Sequence, residues 1–389
     1  MNPLKSKISL HSFLLLAFLF FAGLTYINCA SFGQSPEGLD QERLTESPRY
    51  QEDHFVNVHP RPEGPSFFSV AWEWLWSDGP ALPENPIPVQ SRTARDFDEP
   101  PADGLRITWF GHSSVLLEMD GSMVLIDPVW SRRVSPVSFL GPARFHEPPM
   151  SLEELTKLPI DVVLISHDHY DHLDYETILA LQKTGARFVV PLGVGSHLRY
   201  WGIEPDRIDE LDWWQEVKVG TLRFVATPAQ HFSGRTLEDR DATLWSSWAI
   251  LGPRKKAFYS GDTGYFEGFR EIGERLGPFD LSIMAVGAYD KRWAFVHLNP
   301  EEAVQAHLDV RANHFFPVHW GTFNLAFHDW TDPAERTLQA ARDSGVSVWT
   351  PAPGQILQPP VLVATERWWD STVRTLVERL EERPGTSLD

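Results

Sequence analysis

The sequence predicts a mixed α/β protein with two β-sheets packed back to back and helices outside them. Short apolar segments of strand length alternate with helical segments from Leu105 onward. In both halves of this region strands are followed by helices, and signals for helix starts recur. Layers of this kind bury the apolar face of every sheet and helix.

The first part of this region predicts three strands. Residues 106–109, 115–119 and 123–126 are apolar segments of strand length. The last two are joined through Asp120 and Gly121, and Asp-Gly between two strands is typical of a tight hairpin turn. We therefore expect an antiparallel hairpin here.

Helices are predicted further along the chain. A helix over 175–183 precedes a strand over 187–190. Asn299 has the pattern of a helix cap, with Pro at the first helical position and Glu at the third. Asp332 repeats this pattern, which predicts a cap for a helix that reaches residue 343. A final helix is predicted over 363–381.

Composition limits the classes of function. A chain of 389 residues allows one large domain or two small ones, and an apolar content of 42% is ample for a core. The net charge is −19, and an acidic surface argues against nucleic acid as a partner. Cys29 is the single cysteine of the sequence, so no intrachain disulfide can form.

The N-terminus predicts export. Lys5 and Lys7 precede the apolar run 13–24, which is the order of a secretory signal. The uncharged stretch 8–30 also has the ~20 residues that span a bilayer. Residues 1–30 are therefore a signal sequence or a membrane anchor, and Cys29 is a candidate for lipid attachment. We expect a periplasmic protein, or one anchored in the membrane and facing the periplasm or exterior.

Composition also indicates how the rest of the chain is organised. Residues 31–101 are rich in Pro, Gly and charge, as expected of a linker and N-terminal extension. The aromatic run 67–76 within them either lies at a membrane interface or packs onto the main domain. We expect the main domain over 102–360, followed by a C-terminal helix and tail over 361–389.

A group of metal-capable side chains is the strongest chemical signal. The run 166–172 reads Ser-His-Asp-His-Tyr-Asp-His and follows the apolar segment 162–165, so we expect a loop at the C-terminal end of a buried strand. Three more candidates each follow a strand-like segment downstream. The seven candidate ligands are His167, His169, Asp171, His172, His231, Asp262 and His319.

The number of candidates predicts a pair of ions. Seven ligands are too many for a single tetrahedral zinc, but they fit two ions that share one carboxylate and one water-derived oxygen. This prediction requires four strand ends to converge on one edge of a sheet. Zinc is the expected metal, although iron or manganese accepts similar ligands.

The histidine motif resembles that of the metallo-β-lactamase fold hydrolases. The flanking runs 165–174, 210–214, 261–265, 277–281 and 299–303 are similar to those of N-acyl-phosphatidylethanolamine-hydrolysing phospholipase D. The resemblance extends from about Asp53 to Gln355. It implies a four-layer αββα sandwich and two zinc ions per chain.

The resemblance also implies roles for the ligands. His167, His169 and His231 would hold one zinc; Asp171, His172 and His319 would hold the other. Asp262 would bridge them. A hydroxide shared by the two ions would attack the phosphodiester, releasing N-acylethanolamine and leaving phosphatidate. Asp171 would orient that hydroxide, so Asp171 and Asp262 are candidate catalytic residues.

Three further residues are candidates near the substrate. His297 matches a histidine that the family places beside the substrate phosphate, where it would donate a hydrogen bond or protonate the leaving oxygen. The family has glutamine before this histidine, whereas this chain has Val296. His112 would orient a ligand or the substrate, or simply pack. Tyr170 would line the entrance to the site or pack beside it.

An apolar wall is predicted for acyl chains, provided that its members cluster. Its members are Trp130, Phe139, Leu140, Trp213, Trp214, Trp293 and Phe295.

Four functions are compatible with these residues. The first is a zinc phospholipase D acting on a phospholipid at a membrane surface. The others are a zinc hydrolase of a small soluble substrate such as a sugar-phosphate lactone, a tRNA-trimming nuclease, and a non-catalytic metal module. The acidic charge and the leader disfavour the nuclease, and the seven ligands disfavour a structural site, which needs four. A homodimer is compatible with the sequence.

Overall fold

The computed structural model describes residues 30–359, apart from 63, 65–68, 71–72, 74–78 and 80, together with residues 367–370. The predicted leader and most of the aromatic run 67–76 lie outside these residues. Within them, no helix has the length and apolar character needed to cross a membrane.

The predicted terminal helix over 363–381 lies mostly outside the described residues. Its described part, residues 367–370, forms a turn, so the helix prediction is wrong there. Trp368 and Trp369 in this turn are buried, and both rings pack against Trp320 with centroid separations of 5.3 Å. Packing of two adjacent indoles on the domain outweighs the local helical pattern.

The described residues form strands and helices in the following order. The strands are β1 (Tyr50–Gln51), β2 (His54–Phe55), β3 (Leu105–Gly111), β4 (Ser114–Met119), β5 (Ser122–Ile126), β6 (Val162–Leu164), β7 (Arg187–Pro191), β8 (Ile208–Leu211), β9 (Glu216–Val219), β10 (Leu222–Thr227), β11 (Ser247–Leu251), β12 (Lys256–Tyr259), β13 (Phe279–Ala285), β14 (Ala312–Val318), β15 (Ser347–Val348) and β16 (Ile356–Leu357). The α-helices are α1 (Leu39–Leu44), α2 (Leu152–Leu155), α3 (Tyr175–Leu181), α4 (Val194–Tyr200), α5 (Gly268–Arg275), α6 (Pro300–Asp309) and α7 (Asp332–Ser344). Short 3₁₀ turns lie at Ala30–Phe32, Ala94–Phe97 and Pro205–Arg207.

Two seven-stranded mixed sheets make up most of the fold. The first has the order β16-β3-β4-β5-β6-β7-β8, and the second has the order β15-β14-β13-β12-β11-β10-β9. In the first sheet the strands from β16 to β5 pair antiparallel and those from β5 to β8 pair parallel. The second sheet likewise joins an antiparallel part, β9 to β12, to a parallel part, β12 to β15.

Alternating side chains of the first sheet pack into two different cores. In β4, Val115 and Leu117 belong to the core shared with the second sheet, whereas Leu116 belongs to a core shared with α3 and α4. In β6, Val163 also faces the helices. Successive residues of a strand point to opposite faces, so the sheet is covered on both faces. Helices α5, α6 and α7 add side chains to the first of these cores. These layers confirm the predicted αββα sandwich.

The local predictions succeed where the signal is contained in a few residues. Asp120 and Gly121 join β4 to β5 with φ of 50° and 82°, as the predicted hairpin requires. Asn299 caps α6 and accepts a hydrogen bond from the Glu302 backbone nitrogen at 2.9 Å. Asp332 does not cap α7, since Thr331 occupies the cap position. The Asp332 carboxylate instead accepts a hydrogen bond from the Tyr289 hydroxyl.

Candidate metal centre

The candidate ligands lie in loops that follow four strands. The run 166–172 follows β6, and His231, Asp262 and His319 come after β10, β12 and β14. Because β6 belongs to the first sheet and the other three to the second, the prediction of one sheet edge is wrong. The candidate ligands lie where the ends of two facing sheets meet, and this brings residues far apart in the sequence together.

His167, His169 and His231 form one side of the site, here called the histidine half. His169 Nδ1 lies 2.9 Å from His167 Nε2 and 3.3 Å from His231 Nε2. Burial, and then the neighbouring histidines, hold the pKa of His167 well below its usual value. Burial likewise lowers the pKa of His231, although the Asp262 carboxylate opposes it. These rings are neutral at pH 7 and offer lone pairs to a cation.

Asp171, His172 and His319 form the other side, here called the carboxylate half. Asp171 Oδ2 lies 3.5 Å from His172 Nε2 and 3.3 Å from His319 Nε2. Burial opposes protonation of His319, but Asp262 and Asp171 outweigh it and raise its pKa to about 9. The pKa of His172 is also raised well above its usual value, because Asp262, Asp171 and Asp127 together outweigh its burial.

Asp262 lies between the two halves. Its Oδ2 is 2.9 Å from His319 Nε2, 3.2 Å from His172 Nε2 and 3.9 Å from His231 Nε2. Burial favours the protonated acid, but His172 and His319 outweigh it and hold the pKa of Asp262 well below its usual value. An ionised carboxylate in this position can contact cations on both sides.

Unpaired buried atoms show that these residues fit divalent metal ions. His172 Nε2, His319 Nε2 and Asp262 Oδ1 are buried and lack a hydrogen-bond partner. Orphaned polar atoms are rare in protein interiors, and a bound cation would satisfy them. The candidate ligand atoms of each half lie within 4.8 Å of one another. Imidazole and carboxylate together suit zinc and similar ions.

Asp127 orients the candidate ligand His172 directly and reaches His167 only through the Ser166 hydroxyl, and the sequence reasoning missed it. Its Oδ2 accepts hydrogen bonds from His172 Nδ1 at 2.6 Å and from the Ser166 hydroxyl at 2.5 Å. The Tyr259 hydroxyl donates to the same oxygen. The Ser166 hydroxyl also lies 2.9 Å from His167 Nδ1. Asp127 directly follows β5, so the strand-end rule that found the ligands would also have found it.

The main chain orients the third histidine. His231 Nδ1 lies 2.9 Å from the carbonyl oxygen of Val296, so Nδ1 carries the proton and Nε2 faces the site. The side chain of Val296, which stands where the family has glutamine, plays no part in this contact.

His112 and His297 lie at the site, whereas Tyr170 does not. His112 Nε2 is 3.0 Å from Asp171 Oδ2, and the His112 carbonyl accepts a hydrogen bond from the His319 nitrogen. Burial, and then His319, lower the pKa of His112 to about 3. His297 Nδ1 lies 3.8 Å from Asp262 Oδ2. The Tyr170 hydroxyl donates to the Arg235 carbonyl at 2.6 Å, away from the ligands.

Comparison with known proteins places the chain in a family. A model of the Beta-lactamase superfamily domain matches residues 122–320. N-acyl-phosphatidylethanolamine-hydrolyzing phospholipase D 1 of Caenorhabditis elegans is 39% identical over 288 residues, covering 70% of this chain and 80% of that protein. The chain belongs to the metallo-β-lactamase superfamily.

Two further comparisons are with a more similar relative and with a solved structure. An uncharacterized protein of Mycobacterium tuberculosis is 47% identical over 336 residues, covering 83% of this chain and 88% of that protein. Igni18, a metallo hydrolase of Ignicoccus hospitalis, shares the fold with a TM-score of 0.52 at 23% identity, covering 65% of this chain and 97% of its own. The superfamily domain and the phospholipase relative together identify the protein as a hydrolase, and the fold implies bound metal ions.

A pocket of about 670 Å³ opens onto the ligands of this hydrolase. His169, Asp171, Asp262, His297 and His319 form its floor. Its walls are largely apolar, with cationic side chains among them. The wall residues used below are Phe232, Trp293, Phe295, Leu325, Arg240 and Lys291.

The predicted apolar wall is wrong in most of its members. Only Trp293 and Phe295 of that set line this pocket. Trp130 and Trp213 are buried in the interior, and Trp214 packs under the Arg275 guanidinium. The other two members, Phe139 and Leu140, are exposed. An apolar residue type does not distinguish a core position from a pocket wall.

Proposed function

We propose that this hydrolase is a zinc-dependent phosphodiesterase of the phospholipase D type. Its substrate would be N-acyl-phosphatidylethanolamine or a related phospholipid, and two zinc ions would lie in the histidine half and the carboxylate half. The observation that carries the proposal is the position of Asp262, which reaches both halves beneath a pocket with apolar walls. The names of the relatives in C. elegans and yeast support the choice of substrate.

The reaction is hydrolysis of a phosphodiester. Water attacks phosphorus, the bond from phosphorus to the N-acylethanolamine oxygen breaks, and that oxygen takes up a proton. When bound, the two ions would lower the pKa of water and neutralise charge on the phosphate. Asp171, with one oxygen 3.0 Å from His112, would accept a hydrogen bond from the attacking water and orient it.

His297 would contact the phosphate. Burial is the main cause that lowers its pKa to about 4, so the ring is neutral at pH 7 and carries one N–H group. His297 Nδ1 is buried without a hydrogen-bond partner, and the residue lines the pocket. A neutral imidazole in this position would donate a hydrogen bond to a phosphate or leaving-group oxygen.

The walls of the pocket suit a lipid with an anionic headgroup. Phe232, Trp293 and Phe295 offer apolar surface to acyl chains, and each buried CH₂ contributes about 0.8 kcal/mol. Arg240 and Lys291 add positive charge to the same pocket, although the net charge of the chain is −19. A volume of about 670 Å³ accommodates a headgroup and part of the chains, with the remainder in the membrane.

We further propose that the protein is exported and acts at a membrane surface. The leader supplies the export signal, and its end lies beside exposed apolar side chains. Ser31 donates a hydrogen bond to the Pro136 carbonyl, and Phe139 and Leu140 on that same loop are 58% and 66% exposed. Arg235 donates a hydrogen bond to the Ser31 carbonyl, and Leu237 on the same loop as Arg235 is 96% exposed. These side chains would enter the lipid interface where an anchored leader meets it.

A product assay tests the proposal. The full-length protein, loaded with zinc, is given N-acyl-phosphatidylethanolamine in mixed micelles and, separately, small sugar-phosphate lactones. We expect equal amounts of N-acylethanolamine and phosphatidate by chromatography, and two zinc ions per chain by elemental analysis. Turnover of lactones alone would overturn the substrate assignment. One ion per chain in an active enzyme would overturn the two-metal site.

A matched pair of variants tests the pocket. Phe295→Ala removes an apolar wall, and Leu308→Ala removes an exposed leucine of α6 that does not line the pocket. We expect KM for long-chain substrate to rise about fivefold in the first, in line with burial of one or two CH₂ groups. The second should match the wild type.

A further inference from the structure

The loop that carries four of the ligands is held from behind by one buried guanidinium. Arg235 is 4% exposed and lies in the loop after β10. Its Nη1 donates to the Asp168 carbonyl at 2.5 Å and to the Leu173 carbonyl at 2.9 Å. These carbonyls flank His169, Asp171 and His172, so one cation fixes both ends of the ligand loop.

The middle of the same loop also rests on Arg235. The Tyr170 ring lies 4.1 Å from the guanidinium carbon, and its hydroxyl bonds the Arg235 carbonyl. Among the described residues, Arg235 makes no side-chain ion pair within 4.0 Å, so backbone carbonyls are its acceptors. If the two ends of the loop moved apart, the buried guanidinium would lose hydrogen-bond acceptors. An unpaired buried charge has a high free energy, so this movement is unfavourable.

The remaining donors of Arg235 bind the segment that follows the leader. Nη2 donates to the Ser31 carbonyl at 2.6 Å, and Nε donates to the same oxygen at 3.2 Å. The Trp201 ring nitrogen donates to the adjacent Ala30 carbonyl at 2.6 Å. Residues 30–34 therefore share with Asp168 and Leu173 the guanidinium that fixes the ligand loop.

A second link joins this segment to the loop. The Gln34 backbone nitrogen donates to His197 Nδ1 at 3.0 Å, so the ring proton resides on Nε2. Nε2 lies 3.4 Å from Asp168 Oδ2, a carboxylate that also accepts from Thr243 and from the Gly234 nitrogen. His197 thus connects the segment to a residue that stands between two ligands.

The fit of the segment leaves no space for a side chain at Gly33. Gly33 has φ of +74°, and a Cβ atom there would lie 2.2 Å from His197 Nδ1. Gly38, a few residues on, also has a positive φ of +56°, but a Cβ atom there would meet nothing within 4 Å. The chain thus offers two glycines with a positive φ, of which only Gly33 contacts the support of the metal loop.

We propose that residues 30–34 are a strut for the metal loop: through Arg235 and His197 they hold the loop 168–173 in the geometry that binds metal. Arg235 and His197 are positioning residues and touch no ligand side chain of the site. Retention of metal would then depend on the segment by which the leader joins the domain. The inference rests on the proposed metal centre but not on the identity of the substrate.

Metal retention in three full-length variants tests the strut. Gly33→Ala displaces the segment, Arg235→Lys replaces a planar fork by a point charge that cannot reach carbonyls on three sides, and Gly38→Ala is the control. Zinc-loaded proteins are dialysed against graded chelator, and the zinc per chain is measured by elemental analysis. We expect the first two to release zinc at about tenfold lower chelator concentration, as when the support of a ligand is lost. Gly38→Ala should match the wild type.

Thermal unfolding of the metal-free proteins separates positioning from general destabilisation. The strut requires that the variants lose more zinc than any drop in their metal-free unfolding temperature explains, and that excess zinc restore the wild-type zinc content. Wild-type retention in both variants would overturn it, as would metal loss that follows the unfolding temperature alone. These measurements involve no lipid. A wild-type protein that binds zinc but does not hydrolyse phospholipid would therefore refute the proposed function without contradicting the strut.

Discussion

The two halves of the metal centre are built from different chemistry. In the histidine half, burial dominates and lowers the pKa values of His167 and His231. In the carboxylate half, buried acids outweigh burial and raise the pKa values of His172 and His319. These four histidines are all at most 2% exposed, so the neighbouring charge and not the exposure distinguishes their protonation.

The halves also differ in how their ligands are held. His231 is oriented by a backbone carbonyl, whereas His172 is oriented by the side chain of Asp127. A backbone carbonyl remains when its residue is substituted, whereas a side-chain carboxylate is removed by a single substitution. The carboxylate half should therefore be the more sensitive of the two to mutation.

The largest effect is expected where the halves meet. Asp262→Asn removes the charge that faces both, so both ions should bind more weakly and turnover should fall by more than about 100-fold, beyond the loss of a supporting residue. Zinc content and product formation measure this. Asp343→Asn, an exposed residue near the end of α7, is the control. Retained activity with normal zinc would remove Asp262 from the site.

Loss of Asp127 should separate the halves. Asp127→Asn weakens the hold on His172, and we expect about 10–100-fold weaker binding of one ion with the other retained. Elemental analysis at intermediate chelator should give about one zinc per chain. Tyr259→Phe removes a donor to Asp127 but leaves the His172 contact, so it should lose less. Simultaneous loss of both ions would show that the halves are not independent.

His297 tests which neighbours of Asp262 are ligands. It lies within ligand distance of His231 and Asp262, yet we assign it to the substrate. His297→Ala should lower kcat about tenfold or more, through loss of one donor to the phosphate, with zinc unchanged. Parallel measurement of kcat and zinc content decides the matter. Loss of one zinc would instead make His297 a ligand of the histidine half.

The smallest expected effect is on stability, and it comes from His307, a buried histidine whose pKa is not raised by a neighbouring carboxylate. His307 is buried in α6 beside Ser282, and burial, followed by His314, lowers its pKa from 6.5 to about 4. The unfolded chain therefore binds more protons between these values, and stability falls as the pH drops from 6.5 toward 4. The loss from this group is about 3 kcal/mol at most.

A variant isolates this contribution. His307→Asn should reduce the pH dependence of the free energy of unfolding of the metal-free protein, measured by urea titration at pH 7 and pH 5. His54→Gln, in which a half-buried ring near the surface is replaced, should retain it. An unchanged slope in His307→Asn would show that burial does not keep this ring neutral.

Local signals in the sequence were sufficient for several elements. The Asp120–Gly121 turn and the Asn299 cap each depend on a few adjacent residues, and both form as expected. The seven ligand candidates come together because each follows a strand, and the ends of strands in layered α/β folds converge. Their role as ligands stays a prediction, as does the role of His112 beside Asp171.

Other features depended on contacts that no local pattern contains. The Asp332 signal has the same form as that of Asn299, yet its carboxylate bonds Tyr289 from a distant loop. Asp127, followed by proline, has the pattern of a turn, and Arg235 that of a surface cation. Each is buried, and each acquires its role from partners on other elements.

By itself, the sequence determined the class of fold, the turn and cap chemistry, and which side chains could bind metal, because these follow from residue type and short spacing. The tertiary structure decided that two sheets rather than one supply the candidate ligands. It also decided which aromatic side chains line the pocket and which polar groups hold the loop. Those outcomes follow from burial and from contacts between residues far apart in the chain. The type of an apolar or charged residue does not reveal its burial or its distant partners, because both arise only when the layers pack.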